Sequence, residues 1–158
     1  MTRDVLLRIL AEAYDRRSWH GTNLRGSIRG LTPDAAAWRP APGRHNIWEL
    51  VVHAAYWKYA VRRRLLREKR GSFPLDGSNW FARPQAGESR AAQWRRDLRL
   101  LAEQHRALRE AVAGLPETAW GRRAPRSAFD NQSLVTGAAA HDLYHAGQIQ
   151  LLKRLRRR

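Results

Sequence analysis

Cysteine is absent from all 158 residues. That excludes disulfides, thiolate metal ligands and a cysteine nucleophile, so any thiol chemistry would need its sulfur from a bound molecule. Lysine occurs only as Lys58, Lys69 and Lys153, which leaves arginine to carry the formal net charge of +16. No stretch approaches the roughly 18–20 consecutive apolar residues that span a bilayer. The N-terminal run MTRDVLLRILAEAYDRR is broken by charges every few residues and lacks the apolar segment of a signal peptide. The expected location is therefore cytoplasmic, with no membrane partner. Period-two alternation is missing as well, which argues against a sheet.

What is present favours one folded domain over residues 1–158. Hydrophobic residues make up 43% of the chain and there are seven tryptophans, whereas disordered chains are poor in aromatics. A basic chain attracts nucleic acid or anionic lipid at long range, but net charge does not define a function. An arginine-rich overall composition is the plain explanation of it. In VRRRLLREKR, positions 62–64 sweep around a helix instead of forming one stripe, so specific nucleic-acid binding is not expected.

Helical periodicity dominates and predicts four helices. The first runs from Asp4 to Gly30, with Leu6, Leu10, Ala13, Arg17, His20, Leu24 and Ile28 on one stripe. Asn46 opens the second, and Glu49 three residues later completes a capping-box pattern. Its inner face carries Leu50, His53, Ala54, Trp57, Val61 and Leu65. The third follows Ser89, with Trp94, Leu98, Leu101, His105, Leu108 and Val112. The fourth begins near Asn131 to Ser133 and carries Leu134, Ala138, His141, His145, Gln148, Leu152 and Leu155. Four such stripes in one short chain imply an all-α fold, a four-helix bundle. The connections LTPDAAAWRPAPGRH, GSFPLDGSNWFARPQAGE and GLPETAWGRRAPRSAFD are rich in proline and glycine. Each is long enough to traverse a helix, so loop length does not choose the order of the bundle.

The histidines carry the chemistry. His141 and His145 stand four apart, one turn above each other on a core stripe, among alanines and beside Gly147. Two imidazoles so placed suit one metal ion; the alternative is a pair of core histidines bonded to neighbours. His53 lies on the inner face of the second helix. It is either a third ligand or a core histidine bonded to a backbone carbonyl or to Glu49, and Glu49 is also placed to orient its ring. His20 is open to three roles: a fourth ligand, a substrate contact or a buried structural residue. His105 falls toward the far end of the core and reads as structural, and His45 as a solvated loop residue.

His53 within WRPAPGRHNIWELVVHAAYWK, followed much later by HDLYHAGQI, resembles the DinB-like family and its bacillithiol S-transferase relatives. The resemblance extends over essentially the whole chain and is specific around His53 and at His141 to Ile149. It implies an up-down-down-up bundle, with GSFPLDGSNWFARPQAGE as the long crossover between the second and third helices. It also implies one divalent metal on the histidine triad His53, His141 and His145, a low-molecular-weight thiol as cosubstrate, and a homodimer. Trp80 and Trp120 are expected to be exposed and available to such an interface.

Three protein ligands leave a coordination position open, the pattern of a catalytic metal site. The expected function is therefore a metal-dependent enzyme acting on a small-molecule substrate, with thiol S-transferase (a transferase) as its specific form. Zinc is the first choice of ion, with nickel, iron, copper or manganese as alternatives. Tyr56, Trp57, Tyr144 and Gln148 lie within a turn of the ligands and are expected to shape the pocket, unless they are simply core packing. The rival functions are a metal-binding stress protein without turnover and a basic nucleic-acid-binding bundle.

Overall fold

The computed structural model describes residues 2–123 and 127–157, and among these it is all-helical with no strand. The helices are α1 (Thr2–Tyr14), α2 (Leu24–Ile28), α3 (Pro33–Ala37), α4 (Ile47–Leu65), α5 (Arg90–Gly114) and α6 (Asn131–Arg156). A 3₁₀ turn, Glu117–Ala119, precedes α6. The four longer helices pack around two apolar clusters. One gathers Trp48, Val51, Trp94, Leu101 and Ile149; the other gathers Leu6, Leu10, Leu108, Val112 and Leu134.

The single first helix expected from Asp4 to Gly30 is instead two helices with a break between them. The apolar stripe continues across Arg17 and His20 only by coincidence of spacing. Both residues are exposed, and a run of residues that favour turns ends α1 at Tyr14. Gly21 sits at φ +96°, a conformation that favours glycine. Asn23 then caps α2: its side chain accepts from Gly26 N at 2.8 Å and donates to Arg16 O at 2.9 Å. The first connection also contains α3, which Thr32 caps and Pro33 begins.

The start of α4 follows the capping-box pattern. Asn46 Oδ1 accepts from Glu49 N at 2.8 Å, and Glu49 Oε2 accepts from Asn46 N at 3.4 Å. Ser89 is the N-cap residue of α5, and Asp130 caps α6 by accepting from Ser133 N at 2.7 Å. Trp120 lies in a connection yet is buried, which corrects its assignment as an exposed interface residue. Leu155 is half-exposed, so the last buried position of α6 is Leu152.

Residues 66–89, which join α4 to α5, are pinned from below. Arg83 is buried and donates through Nε to Asp97 Oδ2 at 2.7 Å, and the same oxygen accepts from Trp48 Nε1 at 2.8 Å. Asn46 Nδ2 donates to Arg83 O at 2.7 Å, and Arg83 N donates to Glu49 Oε1 at 3.3 Å. A charge-assisted anchor of this kind resists displacement, because releasing one partner strands the other in the core. The consequence for the site is positional: the anchor holds Asn79 and Trp80 over α4.

Candidate metal centre

His53 on α4 and His141 and His145 on α6 come together, each offering a ligand atom within 4.8 Å of the others. His53 Nε2 lies 3.1 Å from His141 Nε2, and His145 Nε2 lies 3.0 Å from the same atom. Two nitrogens bound to one ion at about 2.0–2.1 Å must be no more than about 4.1 Å apart. Both separations satisfy that limit.

The ring tautomers make the case stronger than distance does. His53 Nδ1 lies 2.8 Å from the carbonyl oxygen of Asn79, a pure acceptor, so that nitrogen carries the proton. His145 Nδ1 lies 2.7 Å from Gln148 Oε1 and donates in the same way. In the neutral rings both Nε2 atoms are then left with lone pairs, and both lone pairs meet at His141 Nε2. One N–H on His141 could satisfy at most one of them well. A cation satisfies all three, so the donor set fits a metal ion.

The electrostatics keep the ligands ready. Burial is the main reason that His53 is lowered to about 4; its bond to Asn79 offsets part of that, while His145 and His45 add to it. Burial again, then His145, His53 and Lys58, lower His141 to about 3. His145 is also lowered, chiefly by burial, with the Gln148 bond opposing. All three are neutral at pH 7, the protonation state that ligates.

Around the triad, expectation and structure part in several places. Glu49 does not touch His53. Its carboxylate is bonded by Arg39, which reaches Oε2 at 2.9 Å, and by His45 Nδ1 at 3.0 Å, together with the backbone of Asn46 and Arg83. Burial pushes that carboxyl up, but the bonds from Arg39, His45 and Arg83 outweigh it and hold the group below the usual range. Glu49 therefore holds the backbone of Arg83, four residues beyond the Asn79 carbonyl that bonds His53. His20 is exposed and bonded to Ser18 Oγ at 2.8 Å, because the helix that would have buried it ends six residues earlier; it is not part of the triad.

Of the four residues expected to shape a pocket, Gln148 bonds His145. Trp57 packs edge-on to both His53 and His141, with ring centroids 6.3 and 6.2 Å away. Tyr144 meets His145 edge-on at 5.2 Å but is exposed. Tyr56 turns away to an aromatic group with Phe73 and Phe81. His45 is exposed as expected, yet it has a ring partner: Trp80 lies between His45 and His53, with centroid distances of 3.6 and 3.8 Å.

Four contributors had no clear sequence signal. Asn79 and Trp80 lie in a loop and meet His53 across 26 and 27 residues of sequence. Lys58 and Asp142 form an ion pair, both side chains 1% exposed, with Asp142 next in sequence to His141. Burial pushes the Asp142 carboxyl up while Lys58 draws it back. An apolar recess of about 240 Å³ opens beside His141, lined by Trp57, Val61, Leu134, Ala138 and Phe129, with Arg64 at its edge.

No curated protein and no solved structure matches the chain. A family model does: that of the DinB superfamily, over residues 16–149, a span that includes all three histidines. The chain belongs to the DinB superfamily.

Proposed function

We propose that this protein is a metal-dependent enzyme of the thiol S-transferase kind, in which His53, His141 and His145 hold one divalent ion. The observation that carries this is the convergence of the Nε2 atoms, with the Nδ1 protons of His53 and His145 already committed to Asn79 and Gln148. Zinc is the first choice as a redox-inert Lewis acid; nickel and iron also suit imidazole. Such an ion, when bound, brings the ionisation of a thiol or water toward neutral pH. The chain's own residues then do the rest. Asn79 and Gln148 fix the ring orientations, Trp57 walls off solvent, and the apolar recess beside His141 receives the organic part of a small-molecule substrate.

The proposal includes the bundle order implied by the family resemblance. Trp48 and Trp94, the second residue of α4 and the fifth of α5, meet edge-on at 5.1 Å, as they would if these helices ran parallel. Residues 66–89 then serve as the crossover of an up-down-down-up bundle.

Elemental analysis of the purified protein followed by a thiol-transfer screen tests the function. One ion per chain, with transfer that His141→Ala abolishes, is the expected result. Stoichiometric metal with no transfer from any low-molecular-weight thiol would favour a sequestering protein instead.

A further inference from the structure

Away from the metal centre, α5 meets α1 at His105 and Tyr14 but leaves a gap between its outer face and α2. The result is an open cleft of about 1000 Å³, large enough for a drug-sized molecule. None of the three metal-centre histidines lines it. Its apolar lining comes from Leu7, Ile28, Leu31 and Leu98, all at least partly buried. Its rim is arginine: Arg25 and Arg29 from α2 and the residue after it, and Arg99, Arg106 and Arg109 from α5. The last three fall at spacings of seven and three, so they project from one side of the helix.

The acids present do not neutralise this array. Asp15 faces Arg25 at 3.6 Å and Glu110 faces Arg106 at 3.9 Å, both in exposed pairs that contribute little. Arg29, Arg99 and Arg109 have no ion-pair partner among the described residues. One further lining residue is unfinished. His105 is 4% exposed and stacked on Tyr14 with centroids 3.8 Å apart, and neither of its ring nitrogens has a hydrogen-bond partner among the described residues. Both nitrogens are themselves buried, so the ring closes the wall of the cleft, and the exposed arginines are the polar groups that face its opening.

We propose that this cleft is a second ligand site, which takes a small amphipathic organic anion: an apolar body against the apolar lining and a carboxylate, sulfonate or phosphate held by the arginine rim. The apolar lining argues against nucleic acid, whose phosphates would engage the arginines and leave the leucines and isoleucine unused. Charge argues against a second copy of the chain, because a two-fold contact would press like-charged arginines together.

The test uses the full-length, metal-loaded protein and 8-anilinonaphthalene-1-sulfonate as the probe, titrated by fluorescence at physiological salt. Expected is saturable binding at one site per chain, at least tenfold tighter than that of the uncharged N-phenyl-1-naphthylamine. Arg99→Glu combined with Arg106→Glu should weaken the probe at least tenfold. Arg95→Glu, an exposed α5 position outside the cleft, should leave it unchanged, and so should His141→Ala. Loss of binding in His141→Ala would put the probe at the metal centre and overturn the proposal. An equal loss in Arg95→Glu would reduce the effect to net charge, with the same consequence. So would a dimer seen by sedimentation equilibrium that the double variant dissociates while the probe fails to bind.

Discussion

Trp80 lies flat against His53, with ring centroids 3.8 Å apart and planes 10° from parallel. Its neighbour Asn79 accepts the His53 Nδ1 proton at 2.8 Å and, through its side chain, a proton from Trp57 Nε1 at 3.0 Å. Two consecutive loop residues thus set the tilt and the tautomer of one histidine of the triad. Asn79 does so at φ +65°, a conformation that asparagine and glycine tolerate and β-branched residues do not. Asn79→Val should therefore weaken metal binding about tenfold, in line with losses of orienting partners at other metal sites. Asn79→Gly, which keeps the backbone conformation, should recover most of it. Competition against a chromophoric chelator measures both, and equal affinity in wild type and Asn79→Val would show that the carbonyl does not orient the ligand.

Ligand removal gives a second expectation. His145→Ala should sharply reduce bound metal, while His20→Ala, in an exposed loop, should retain one ion per chain. Because an ion that binds only the folded chain stabilises it by mass action, a hundredfold excess over its dissociation constant adds roughly 2.7 kcal/mol. Chelation should lower the melting temperature while helicity persists at 25 °C, since both apolar clusters remain. Identical melting curves with and without chelator would count against a tightly held ion.

The parts of this site that were legible in the sequence are those written into a single helix. His141 and His145 share a face because they are four apart, and Asn46 with Glu49 announces the start of α4 because capping is local. The unread parts depend on contacts between distant segments. Asn79 lies 26 residues from His53, and Lys58 lies 84 from Asp142. The break after α1 was hidden because Leu24 and Ile28 resume the helical stripe in phase, leaving Arg17 and His20 as its only flaws. Glu49 shows the limit from the other side: a carboxylate one turn before a histidine had a local partner within reach, and Arg39, His45 and Arg83 took it instead.

The buried Lys58–Asp142 pair supplies a third prediction. By chain position it falls between the two apolar clusters, and each partner is 1% exposed. Removing one charge leaves the other stranded, at a cost of about 3–5 kcal/mol. Asp142→Leu and Lys58→Met should each be destabilising by that amount in chelator-treated protein. The double variant should recover much of the loss, because two apolar side chains leave no orphan charge. Denaturant unfolding of the four proteins forms the cycle, and additive losses would mean that the two residues act independently.

The last prediction concerns acid. Burial, with Lys58 and Arg109 adding to it, lowers His105 from 6.5 to about 2 in the folded chain. Between those values the unfolded chain binds a proton at this position that the folded chain does not. Stability therefore rises with pH across the window: the contribution is complete above about 6.5 and is lost progressively as pH falls toward 2. One such proton corresponds to a slope of about 1.4 kcal/mol per pH unit. His105→Phe keeps an aromatic ring against Tyr14 and removes the titration. In chelator, so that the metal ligands contribute equally to both proteins, urea unfolding at pH 7, 6, 5 and 4.5 should show the variant gaining on wild type by about that slope below pH 6. A constant offset between the two proteins at every pH would mean that His105 titrates alike in the folded and unfolded chains, and the assignment of a neutral, buried imidazole would fail.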